Sequence, residues 1–395
     1  MNDNHDIAEI LIVFGSLFLI GLLSDLAGRR TPLPRVTLLL LAGFLIGPTV
    51  LDWLPDFAGD WFPVLTGVAL TMIGFLLGQK LTLPTLRELG RAVIAMSVCE
   101  VAVTAFLVFS VLLAFGVQLE IALLLAGIAP ATAPAAIVDV VQELDARGKF
   151  TDTLLGIVAI DDAWGLMLFS VLLALVHGLT GQGNPAEVLL IAAHDIGGAL
   201  LLGLLLGVPM AYLTGRVRPG EPTLAEALGL VLLCAGLAIW ADVSYILAAM
   251  TMGSVVANLA KHHDRPFHAI EGIEWPFLIL FFLLAGAALR VDALASIGLL
   301  GAGYIGLRIV GRIVGTRLGG RLSGTDVSTR HHMGPALLPQ AGVAIGMALL
   351  AGQHFPELRD TILPVVLGST VIFELVGPVV TRRVLIRMGE ARGKQ

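Results

Sequence analysis

Long apolar runs alternate with short polar or Pro/Gly-rich segments along the whole chain. Thirteen runs stand out: residues 7–27, 35–51, 61–79, 90–116, 119–141, 151–177, 187–215, 224–241, 243–260, 268–289, 294–322, 333–353 and 361–383. Most are long enough to cross the hydrocarbon core of a bilayer as a helix, which takes about 20 residues. Strands of a membrane barrel would be shorter and would alternate apolar with polar positions. The pattern predicts an all-α integral membrane protein with 13 transmembrane helices.

Two runs are interrupted in the same way. The fifth contains Pro130 and Pro134, the twelfth Pro335 and Pro339. A proline inside a helix removes a backbone hydrogen bond and clashes with the preceding turn, so two in one turn predict an unwound stretch. Unwound backbone at membrane depth survives only where protein buries it or water reaches it.

Composition and charge turn this pattern into a topology. Hydrophobic residues make up 57% and charged residues 14% of the chain, with a mean hydropathy of +0.91, well outside the soluble range. Of 24 Lys and Arg, twenty fall in alternate connections and the C-terminal tail. Only Arg290 and Arg359 fall in the other connections, and Arg308 and Arg312 lie inside the eleventh run. Excess Lys and Arg marks the cytoplasmic side, so the N-terminus is expected outside and the C-terminus inside. The acidic start lacks the basic region of a signal peptide, so the first run is expected to be retained. Residues 7–177 then form a first repeat, 187–215 a linker helix and 224–383 a second repeat of inverted topology. Matched broken helices in two inverted repeats point to a transporter's binding site.

Polar residues inside the runs indicate the chemistry. Asp161 and Asp162 are adjacent within an apolar stretch. A carboxylate there costs several kcal/mol unless water, a partner or a cation meets it, so the pair marks an ion or proton pathway. Asp162 is the expected cation ligand and proton carrier, its two cargoes competing for the same oxygens. Asp161 points about 100° away around the helix. Arg308 and Arg312 share one face, where either neutralises Asp161 or the negative C-terminal ends of the broken helices, or Arg312 reaches up to the surface. Glu100 and Glu374, mid-way through the fourth and thirteenth runs, read equally as proton relays or as ion-pair partners of Arg308. Thr132, between the first two prolines, offers a hydroxyl to a cation or satisfies its own broken helix; Gln340 is a comparable polar candidate. Asp139, Asp195, Asp242 and Glu226 read as interfacial. His262, His263, His331 and His332 are expected at the cytoplasmic surface, in reach of titration near neutral pH. Cys99 and Cys234 lie in apolar runs and give no disulfide framework. No zinc spacing, phosphate loop or nucleophile motif suggests an enzyme, a cofactor or a nucleic-acid partner.

The chain resembles the cation–proton antiporter-2 family of monovalent cation–proton antiporters. The resemblance runs through Ala131-Thr132-Ala133-Pro134-Ala135-Ala136, Ala159-Ile160-Asp161-Asp162, Gly311-Arg312-Ile313-Val314-Gly315, Pro339-Gln340-Ala341-Gly342 and Glu374-Leu375-Val376-Gly377-Pro378. It implies a core of 90–177 and 294–383 moving against a scaffold of 7–79 and 187–289 that also forms a homodimer in the inner (plasma) membrane. It implies Na⁺ or K⁺ binding at Asp162 where the broken helices cross, and an ion pair between Asp161 and a base on the eleventh run, here Arg312. Many relatives have lysine at that base; arginine stays protonated, so a lysine that releases a transported proton has no equivalent. Relatives with a potassium-linked role often carry a cytoplasmic nucleotide-binding domain, and no such segment occurs before Gln395. The expected activity is secondary antiport of Na⁺ or K⁺ against protons. A channel-like or sensory protein on the same fold and an organic-anion symporter are the alternatives.

Overall fold

A computed structural model describes residues 3–28, 31, 33–79, 81–180, 185–214, 223–260, 264–289, 298–340 and 342–392. Among them are fifteen helices: α1 (Asp3–Gly28), α2 (Arg35–Ile46), α3 (Asp56–Gly78), α4 (Leu83–Ala114), α5 (Leu119–Ile128), α6 (Pro134–Glu143), α7 (Lys149–Thr180), α8 (Pro185–Thr214), α9 (Thr223–Trp240), α10 (Tyr245–Leu259), α11 (Asp264–Ala287), α12 (Gly298–Ser323), α13 (Val327–Ala336), α14 (Gly342–His354) and α15 (Pro356–Arg387). Seven of them are long and apolar enough to cross a membrane, and further helices are apolar but shorter. Leu11, Leu19 and Leu23 on α1 and Leu190, Leu201 and Leu205 on α8 are exposed, an apolar girdle that suits lipid rather than water.

The fifth apolar run is two short helices, α5 and α6, and the twelfth is α13 and α14; five positions separate each pair. Pro134 opens α6 at the first helical position, where its missing N–H is one of the unpaired donors anyway. Pro335 lies in the last turn of α13, and Pro339 lies in the second break. α13 begins six residues before the run that announced it. Asp326 caps it, its Oδ1 accepting from the Thr329 amide at 2.8 Å, so a polar turn of helix precedes the apolar stretch. α2 stops at Ile46, short of the expected end, because Gly47-Pro48 breaks the run.

α4 packs along α12, α10 between α3 and α8, α11 on α2 and α3, and α14 on α15. One apolar core joins α4, α5, α7, α12, α14 and α15 through Leu124, Phe169, Tyr304, Met347 and Phe355. A larger core runs through α2, α3, α10 and α11 and reaches α6 and α7. The α4–α12 seam is the closest. Gly311, Gly315 and Gly319, four residues apart, face the backbone of Thr104, Glu100 and Met96, and a Cβ on Gly315 would lie 2.6 Å from the Glu100 Cα. Small residues at this spacing let two membrane helices touch backbone to backbone. That seam fixes which α4 side chains meet the arginines of α12.

Candidate functional site

Both breaks end in the same place. The turn after α5 leaves carbonyls with no helical partner, as does the turn after α13, and each C-terminus carries a partial negative charge. Arg308 and Arg312, one helical turn apart on α12 and both fully buried, fill the space between them. Arg308 donates from Nε to the Ala129 carbonyl at 2.9 Å, from Nη2 to Ala131 at 2.8 Å and from Nη1 to Leu338 at 2.8 Å. Arg312 donates from Nη1 to Leu337 at 2.7 Å and from Nη2 to Ala131 at 2.9 Å and to Pro130. Each guanidinium therefore holds carbonyls of both breaks at once. Its fixed planar fork of donors suits this better than a lysine ammonium would. Arg308 also lies over the Phe373 ring, 4.1 Å from its centroid.

The expected Asp161–Arg312 pair is replaced by another. The carboxylate at Arg312 is Glu100, with Nε 3.4 Å from Oε1, and Thr104 donates to the same oxygen at 3.3 Å. The reason is the glycine seam: it presses α4 against the face of α12 that bears Arg312. Asp161, fully buried on α7, instead accepts a hydrogen bond from the Ser97 hydroxyl. Of the two expected roles for the arginines, the structure has the neutralisation of helix C-termini. Full burial also rules out Arg312 reaching up to the surface. Ser97 escaped the sequence reading, although Ser97, Glu100 and Thr104 fall on one face of an otherwise apolar helix.

The remaining candidates are spread around this centre. Asp162 belongs to α7 at the expected place, but its side chain lies outside the described residues. Thr132 and Gln340 are fully buried in the two breaks. The Thr132 hydroxyl has no hydrogen-bond partner among the described residues. Glu374 on α15 is 9% exposed and does not pair with Arg308, whose donors are all directed at the breaks. His331 and His332 are on the polar start of α13, hydrogen-bonded to the carbonyls of Val327 and Ser328 at 2.6 and 2.9 Å. His262 and His263 lie outside the described residues.

Asp139 corrects its interfacial reading. It is fully buried, and Arg35 donates to its Oδ1 from Nε at 2.9 Å and approaches with Nη2 at 2.7 Å. The Arg35 guanidinium stacks on Trp275 at 3.9 Å, and its amide donates to Glu143 at 2.9 Å. The network ties α2 and α11 to α6. Nothing local in the sequence announces this partner of Arg35, which lies 104 residues further along the chain.

Two cavities lie between these helix groups. One of about 580 Å³ is bounded by the ends of α3 and α6 and the starts of α7 and α11, with Gln79, Asp145, Asp152, His268 and Glu271 in its wall. The other, about 390 Å³, is bounded by the start of α6, α14, α10, α11 and Glu374 and is mostly apolar.

Known proteins decide the family. The family model described as "Sodium/hydrogen exchanger, transmembrane" matches residues 14–387. The chain belongs to the sodium/hydrogen exchanger family. This exchanger is a multi-pass membrane transporter, not an enzyme, and its class of activity is antiport of a monovalent cation against protons. It is 23% identical over 278 residues to the "Ammonium/H(+) antiporter subunit AmhT" of Alkalihalophilus pseudofirmus, spanning 70% of the chain and 69% of that protein. It is 28% identical over 206 residues to "Na(+)/H(+) antiporter 1" of Methanocaldococcus jannaschii, spanning 50% of the chain and only 47% of that protein. Two structures of the sodium proton antiporter MjNhaP1 from the same archaeon share its fold. At pH 8 the match has a TM-score of 0.68 at 21% identity over 96% of both chains. An electron-microscopy structure gives 0.75 at 18% identity over 98% of this chain and 99% of that one.

Proposed function

We propose that the exchanger trades one cytoplasmic Na⁺, K⁺ or NH₄⁺ for one proton, with cation and proton competing for Asp162. The supporting observation is the buried arginine pair that joins both broken helices, with Glu100 at Arg312 and Ser97, one turn before Glu100 on α4, bonded to Asp161 of α7. Relatives named as sodium and ammonium antiporters bring Na⁺ and NH₄⁺ to this reading; the cation–proton antiporter-2 resemblance brings K⁺. In it, thirteen spans cross the inner membrane with the N-terminus outside. The core helices slide against a dimer-forming scaffold, and the two cavities give alternate access.

Charge sets the stoichiometry. Arginines stay protonated, so Arg308 and Arg312 count as two positive charges. Glu100, Asp161 and Asp162 count as three negative ones, which leaves one uncompensated. A single cation or a single proton neutralises it, and an empty site should not cross, because an unpaired charge in hydrocarbon is costly.

The test is reconstitution in liposomes with an internal pH dye, adding each cation in turn. Wild type should move protons, and Asp162→Asn should abolish exchange of every cation. An Asn variant that still exchanges at the wild-type rate would refute the assignment. With Na⁺ as cargo and the voltage clamped by K⁺ and valinomycin, exchange should keep the same rate at zero and at strongly negative potential. A rate that follows voltage would require a second proton per cycle.

A further inference from the structure

The 390 Å³ cavity holds three oxygen groups that nothing else in the fold explains. Thr66 on α3 and Thr132 in the first break have buried hydroxyls without a hydrogen-bond partner among the described residues. Glu374 on α15, 9% exposed, makes no hydrogen bond and no ion pair among the described residues. Apart from these groups and Tyr245, the wall is mostly aliphatic and aromatic, with Leu70 and Phe281 typical of it. Buried polar groups are almost always paired, so three oxygen groups unpaired among the described residues in the wall of one cavity call for a ligand.

Among the described residues, the charged groups around α15 do not supply one. Arg308 on α12 is committed to the break carbonyls and the Phe373 ring, and Arg35 on α2 is committed to Asp139. Two helix starts share the cavity wall with the carboxylate: Pro134 and Ala135 lie in the first turn of α6 and Val343 in the first turn of α14. The partial positive charge of these two helix starts offsets part of what burial costs a negative charge there. The cavity therefore holds a carboxylate with no counter-ion among the described residues, and neutral hydroxyls to complete a set of oxygens for a cation or a proton. Hard monovalent cations prefer such ligands, and a proton competes for the same carboxylate.

We propose that Glu374, Thr132 and Thr66 form a loading station for the monovalent cation or the proton on the way to Asp162. The inference rests on the exchange reading and adds a second carboxylate to it. Because Thr66 belongs to a helix outside the α4–α7 and α12–α15 group, the station is complete only while the two groups stand in the present arrangement. The cation is handed on rather than carried by Glu374, so one cation still crosses per proton.

Two measurements on the full chain test the station. In liposomes, Glu374→Gln should raise the KM for the transported cation about fivefold with kcat little changed, the signature of lost binding rather than lost chemistry. It should also flatten the acid limb of the pH profile. Glu374→Asp should recover part of the loss, and Thr66→Val should raise KM about twofold, as removal of one neutral ligand would. In detergent, a hydrophobic carbodiimide should label Glu374, read by peptide mass spectrometry, and Na⁺, K⁺ or NH₄⁺ should suppress the label. A wild type that exchanges beside a Glu374→Gln variant of unchanged KM and pH profile would overturn the station and leave the exchange reading intact. A label that none of the three cations suppresses, or no label at all, would overturn it too. Labelling that a cation suppresses in a protein that exchanges nothing would uphold the station and defeat the exchange reading.

Discussion

Arg312→Ala is expected to destabilise the exchanger by about 3–5 kcal/mol, the range for leaving one member of a buried ion pair behind. The cost has two sources. Glu100 loses its ion-pair partner in a fully buried place and keeps only the charge of Arg308, one turn along α12. The carbonyls of Leu337 and Pro130 lose their donor, and Ala131 keeps only Arg308. The two sources separate in a double-mutant cycle with Glu100→Gln. Glu100→Gln alone leaves the break carbonyls bonded and should cost less than Arg312→Ala. The double variant should be more stable than the sum of the single losses by at least about 1 kcal/mol, because the stranded carboxylate is gone. Arg312→Lys should fall between, keeping the charge but not the fork that spans two chains of carbonyls. Thermal unfolding in detergent, followed by the fraction that remains monodisperse, reads all four. A melting temperature for Arg312→Ala within a couple of degrees of wild type would mean that Arg312 does not hold the breaks.

Gly315→Val is expected to be worse tolerated still. Its Cβ would sit 2.6 Å from the Glu100 Cα and 2.8 Å from the Cys99 carbonyl oxygen, and both are backbone atoms that cannot swing away. Overpacking a well-filled interior costs about 1–3 kcal/mol where side chains can adjust, and here none can. Separating α4 from α12 would also withdraw Glu100 from Arg312. The control is on the same helix: Gly306 has nothing within 4 Å of its Cβ position, so Gly306→Val should express and exchange like wild type. Equal yields of folded protein from the two variants would refute the role given to the seam.

What the sequence disclosed was local in origin. Runs of apolar residues announce helices, and paired prolines announce breaks, because each depends on a residue and its immediate neighbours. The positions of both breaks were legible for that reason, and so was the presence of Arg308 and Arg312 within an apolar run, while the choice between burial and the surface for Arg312 stayed open. The pairing of charges was not. Whether Arg312 meets Asp161 or Glu100 depends on the rotation of α4 against α12, which three glycines set through contacts between helices far apart in the chain. Asp139 looked interfacial because its partner, Arg35, sits at the start of α2. Thr66 gave no signal at all: a threonine inside an apolar run is ordinary until the far wall of its cavity is known.

Both breaks are held by arginines, and both arginines come late in the chain, which bears on how it is made. The Ala129 carbonyl waits for Arg308, 179 residues later in the chain, and Pro130 for Arg312, 182 residues later. Proteins emerge from synthesis N-terminus first, so α5 and α6 enter the membrane long before their donors exist. Until α12 arrives, the first break must keep its carbonyls wet or borrow other partners. The N-terminal half is therefore an unfinished piece on its own, and its completion marks the moment at which the whole molecule closes.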